Sequence, residues 1–111
     1  MNIEILYFEG CPNHGPALQR VQELLKEEDI HAEISEVQVS DQVVAREIGF
    51  LGSPTVRVNG IDVDPTARQA RDYGMMCRTY VSRVGREGVP SREMIRQALR
   101  NAESGVPSQT S

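Results

Sequence analysis

The 111-residue chain has no tryptophan, two cysteines and no long apolar run. No stretch approaches the roughly 18 apolar residues of a membrane span, so no membrane partner is expected. The first residues enter a strand-like pattern at once, without the basic region, apolar region and cleavage site of a secretory leader, which predicts a cytoplasmic protein. In a reducing compartment two cysteines read as catalytic, metal-binding or inert before they read as a structural disulfide. Positive charge is not in excess either. A formal net charge of −4 leaves no chain-wide footprint for nucleic acid, and none is expected as a partner. With 39% apolar and 25% charged residues, the composition is that of a folded domain, and the length supplies one core.

Residues 2–8 are apolar on both alternating faces, with Ile3, Ile5 and Tyr7 on one and Leu6 and Phe8 on the other. That pattern predicts a central strand covered on two sides. Over 13–28, Ala17, Leu18, Val21, Leu24 and Leu25 recur at helical spacing, which predicts a helix. Pro12 and Gly15-Pro16 offer alternative starts for it. Residues 31–39 alternate through Ala32, Ile34, Val37 and Val39 with a phase slip near Glu36, so a strand with a bulge is expected. A helix at 41–48 is capped by Ser40 or Asp41 and ended by Gly49. Asn59-Gly60 between two alternating runs predicts a hairpin of strands 55–58 and 61–63. Pro90-Ser91 opens a last helix to about residue 102, and the Ser/Gly/Pro/Gln-rich stretch 103–111 is expected to be a disordered tail to a single domain at 1–102.

Cys11-Pro12-Asn13-His14 falls where the first strand hands over to the first helix. Unpaired N–H groups and the positive end of a helix dipole favour an anion at such a place, which suits a nucleophile or a soft-metal ligand. The order β-α-β-α-β-β-α, with Cys11-Pro12 after the first strand and Gly52-Ser53-Pro54-Thr55 before the third, resembles the thioredoxin fold over roughly residues 2–63 and 90–102. Within that superfamily, the opening Ile5 to Asn13 and the later run Asp72-Tyr73-Gly74-Met75-Met76-Cys77-Arg78 are similar to a group of small bacterial thioredoxin-like proteins. Some of these carry an alkylmercury-lyase label and some carry selenocysteine. The resemblance implies a four-stranded mixed sheet flanked by helices, with Cys11 as the nucleophile. It also implies a cis peptide at Pro54 against that cysteine, and a preceding backbone free to pair with an extended substrate. Cys-Pro-x-Cys is the glutaredoxin form of the site, and here His14 stands in place of the second thiol.

Residues 64–89 exceed the roughly 12–15 residues of an ordinary structureless loop. They carry Tyr73, Met75, Met76, Cys77 and Tyr80 among five arginines. Their middle is expected to fold back near Cys11 and Pro54, bringing Cys77 as a second thiol, while Gly85 to Pro90 stays loop. The leading reading is a thiol oxidoreductase without a cofactor, acting on a protein or small-molecule disulfide or thiol. In it Cys11 attacks, His14 hydrogen-bonds the sulfur, and Cys77 resolves the intermediate. Pro12, Ser53, Pro54, Thr55, Tyr73 and Arg78 are the candidate substrate-binding residues. One alternative is a soft-metal or organomercurial binding protein, with Cys11, His14 and Cys77 as ligands for mercury, copper or zinc. Another is a redox-inactive thioredoxin-like interaction domain.

Overall fold

Strand β1 (Asn2–Tyr7) pairs in parallel with β2 (Glu33–Gln38) and antiparallel with β3 (Thr55–Val58), which pairs antiparallel with β4 (Ile61–Asp62). The sheet is therefore mixed and four-stranded, in the order β2-β1-β3-β4, with β1 inside it. The computed structural model describes residues 1–104.

The two-faced pattern of β1 is what layers the molecule. Ile3 and Ile5 pack with Ala17, Val21 and Leu24 of helix α1 (His14–Glu27) and with Ile95 and Leu99 of helix α3 (Arg92–Ser104). Leu6 packs on the other face with Val39, Phe50 and Ala45, the last from helix α2 (Gln42–Ile48). Each fully buried Val, Leu, Ile or Phe side chain among these contributes about 1.5–3 kcal/mol. Residues Ile34 and Val37 of β2 join opposite clusters, because an odd separation along a strand changes face. The phase slip near Glu36 has that origin, and the expected bulge is not there: the pairing runs unbroken from Asn2↔Glu33 to Tyr7↔Gln38.

Local signals set most element ends. Asp41 caps α2 by accepting from the Val44 N–H at 2.9 Å, and Gly49 ends it at φ 69°. Asn59 and Gly60 take φ 52° and 81° in the hairpin turn, as a two-residue turn of that type requires. The Ser91 hydroxyl accepts from Met94 N–H at the start of α3. Helix α3 continues through Glu103 and Ser104, which corrects the expected boundary, and the remainder of the expected tail lies outside the described residues.

Beyond β4 the chain forms a 3-10 turn (Pro65–Gln69), an extended stretch and a small hairpin of β5 (Tyr80–Ser82) and β6 (Gly85–Glu87). Gly85 to Glu87 is thus strand, where the sequence suggested loop. Among the described residues no helix is long and apolar enough to cross a membrane.

Candidate functional site

Cys11 is half-buried in two successive turns beyond the end of β1. Its N–H donates to Phe8 O at 3.2 Å, and its carbonyl accepts from His14 N–H at 3.4 Å. Helix α1 starts at His14 with Asn13 as its cap. Pro16 then falls in the first turn, where a missing N–H costs nothing. This start lies between the two that the sequence offers. Cys11 stands two residues outside the cap, off the helix end on which the anion argument rests.

His14 is turned to other work. Its Nε2 lies 2.6 Å from Glu36 Oε1 on β2, and its ring stacks on Tyr7 with centroids 3.6 Å apart and planes 7° from parallel. Nε2 bonds Glu36, not the Cys11 sulfur. The ring ties the start of α1 to the sheet, so its role is one of position.

Ser53 is the hub of the site. It is fully buried, and its peptide bond to Pro54 is cis. Its hydroxyl accepts from Phe8 N–H at 3.4 Å, joining it to the turn that carries Cys11. Its backbone N–H donates to Met76 O at 2.8 Å, and its carbonyl accepts from Arg78 N–H at 2.9 Å. Those two bonds flank Cys77, which faces Ser53 in a single parallel bridge. The backbone that the thioredoxin resemblance leaves free for an extended substrate is therefore occupied by the chain itself. Gly52 makes this approach possible: a Cβ there, at φ 114°, would stand 3.0 Å from Met76 O and 3.1 Å from Arg78 Cβ.

The self-pairing segment is held at both ends. On one side the Gln42 amide grips its backbone, Nε2 donating to Tyr73 O at 3.1 Å and Oε1 accepting from Met75 N–H at 3.3 Å. Gly74 N–H donates to Phe50 O at 3.0 Å, and the half-buried Tyr73 ring lies against Gly49. On the other side Arg78 is buried. Its Nη1 and Nη2 bond the Asp62 carboxylate at 2.8 and 3.0 Å, and Nη1 also reaches Thr55 Oγ1 at 3.1 Å. The guanidinium sits 4.5 Å over the Tyr80 ring, whose hydroxyl donates to Pro54 O at 2.6 Å. Burial alone lowers the Arg78 pKa, but the Asp62 bond and the charges around it more than compensate, and it is raised overall. Burial pushes the Tyr80 phenol well above its ordinary range, against the opposing pull of Arg78.

These placements revise the residue roles. Arg78 and Thr55 form an internal lattice beneath the segment and do not present themselves to a ligand. Ser53 and Pro54 are buried, Tyr73 is an anchor, and Pro12 alone of the expected substrate-binding residues is exposed. Cys77 is exposed and, like Cys11, a free thiol. Among the described residues no three His, Cys, Asp or Glu side chains are grouped as metal ligands, so Cys11, His14 and Cys77 do not form a ligand set here. Sequence reasoning missed Gln42 and Asp62. The signal for Asp62 was a carboxylate within a short strand, followed by an arginine-rich stretch needing a counter-charge.

A shallow cleft of about 400 Å3 lies beside the site, lined by Phe8, Glu9, Gln38, Val39, Ser40 and Met75. Its walls come from the chain just beyond β1 and β2 and from Met75, and neither Cys11 nor Cys77 lines it. Comparison of the chain with protein-family models, curated proteins and solved structures yields no match.

Proposed function

We propose that the protein is a thioredoxin-like thiol oxidoreductase in which Cys11 is the attacking thiol and Cys77, carried on the segment paired to Ser53, is the resolving one. The observation that carries this reading is the pair of hydrogen bonds flanking Cys77 on the Ser53 backbone, with Ser53 bonded in turn to the Cys11 turn. An inert packing cysteine is buried, whereas Cys77 is exposed on a segment anchored on both sides.

In the proposed reaction the Cys11 thiolate attacks one sulfur of a substrate disulfide. A mixed disulfide forms, and the other substrate sulfur leaves as a thiolate that takes up a proton. The Cys77 thiolate then attacks the Cys11 sulfur, forming the Cys11–Cys77 disulfide and releasing the second substrate thiol. The substrate gains two electrons, the protein loses them, and an external thiol pair restores the reduced form. Because the chain fills its own strand-pairing groups at Ser53, a small disulfide suits this arrangement better than an extended peptide.

The test is turnover of bis(2-hydroxyethyl) disulfide with glutathione as reductant, which Cys11→Ser abolishes; Cys77→Ser, given the disulfide with no glutathione present, retains a mixed disulfide on Cys11. Unchanged turnover in Cys11→Ser would overturn the reading. A soft-metal role has one observation in its favour, the half-exposed Met75 and Met76 beside Cys77, since thioethers and thiolates suit Cu(I). It predicts one copper per reduced chain, lost in either cysteine variant.

A further inference from the structure

We propose that the open cleft of about 780 Å3 between the Pro65–Gln69 turn, the β5–β6 hairpin and α3 binds a small amphipathic carboxylate. Its volume lies within the roughly 300–1,000 Å3 range of small-molecule sites. Its wall is in part aliphatic, from Val63, Val84, Met94 and Ala98. Its charged lining is unbalanced, with Arg20, Arg68, Arg83 and Arg92 against Glu87 and Glu93.

Partners already on the protein account for half of those arginines. Arg20 lies 3.7 Å from Glu87 and donates to Pro90 O, and Arg92 pairs with Glu23 and Glu27. Glu93 is bound by Arg96 at 3.0 Å. Among the described residues Arg68 and Arg83 pair with no carboxylate. Arg68 spends Nε and Nη2 on the Asp62 carbonyl, at 3.1 and 2.7 Å, and its Nη1 is buried without an acceptor. Arg68 also lines a second cleft, and its buried Nη1 is not offered to solvent. The free donor is Arg83, exposed at the hairpin, whose guanidinium a carboxylate matches through two oxygens. Val84, next to Arg83 at the hairpin tip, is 89% exposed. An aliphatic body seated in the cleft would cover it while the head group meets Arg83. Head and body thus have separate places, so the class expected is a carboxylate with a medium-length alkyl or an aryl body. Neither an inorganic anion nor a neutral lipid meets both demands.

Octanoate, 1-octanol and acetate, each titrated into the reduced full chain by calorimetry, test this, with amide shifts recorded in parallel. Octanoate should saturate one site, with octanol and acetate each at least about 10-fold weaker, and the shifts should centre on Val63, Val84 and Met94. Arg83→Gln should weaken octanoate about 10-fold with no change in urea midpoint, since Arg83 is exposed. Cys11→Ser should bind as the parent does. No saturable octanoate binding, octanol binding as tightly as octanoate, an unaffected Arg83→Gln, or shifts centred elsewhere would each overturn the proposal.

Discussion

Removing the Arg78 guanidinium perturbs the point on which the Cys77 segment is anchored. Arg78 and Asp62 are 7% and 9% exposed and share two hydrogen bonds of 2.8 and 3.0 Å. Arg78→Met leaves the Asp62 carboxylate buried without its counter-charge, a change that costs about 3–5 kcal/mol. It also removes a donor to Thr55 and a cation stacked on Tyr80, the latter worth about 0.5–2 kcal/mol. Against a total stability of roughly 5–15 kcal/mol for a small domain, that is a large share. At a urea m-value of about 1–3 kcal/mol/M, the midpoint should fall by about 2 M. Asp62→Leu should cost a similar amount, because it strands the arginine. The double variant Arg78→Met/Asp62→Leu buries neither charge and should recover most of the loss, giving a coupling energy of about 2 kcal/mol or more. Urea unfolding of the four proteins measures the cycle. Additive losses, or a single variant within about 1 kcal/mol of the parent, would refute the claim that this pair anchors the segment.

Gln42→Ala removes two exposed hydrogen bonds to Tyr73 and Met75. It should accelerate amide exchange at Gly74 and Met75 several-fold while changing global stability by no more than about 1 kcal/mol. In Gly52→Ala, the new methyl meets Met76 O and Arg78 Cβ at positive φ. The variant should lose about 1–3 kcal/mol and expose the Ser53 N–H to exchange; retained protection there would contradict the close packing. Tyr80, whose pKa burial raises above its ordinary 10.0, keeps its proton in the folded state when the unfolded chain releases it. The associated stability is complete below about pH 10 and is lost as pH rises beyond it. Urea midpoints from pH 8 upward should fall above that point in the parent, and Tyr80→Phe, less stable at neutral pH, should show a flatter fall.

The elements legible in the sequence are those whose cause is local. Asn59-Gly60 specifies its turn because both residues accept positive φ, and α1 and α3 follow from apolar residues at helical spacing. Strand β2 misleads because it is an edge strand that gives one residue to each core cluster, which reads as a slipped phase. That the Cys77 segment folds back to Ser53-Pro54 follows from the length and apolar content of 64–89, but its exact path does not, because Ser53, Gln42 and Asp62, all distant in sequence, set it. The hairpin at Tyr80–Glu87 turns through Arg83-Val84, which lacks the Asn or Gly that marks such turns. At the site, Cys11, Ser53-Pro54 and Cys77 could be singled out from their neighbours along the chain. That Glu36 engages His14, 22 positions away, could not, and neither could the burial of Arg78.

The most direct test of the two-thiol account is peptide mapping by mass spectrometry after mild oxidation of the reduced protein. The account predicts a single linked peptide pair containing Cys11 and Cys77 and an intact mass lower by about two hydrogens. Cys77→Ser should carry instead a sulfenic acid or an adduct on Cys11. Two independent adducts on the oxidised parent, with no internal disulfide, would contradict it and leave Cys77 outside the chemistry.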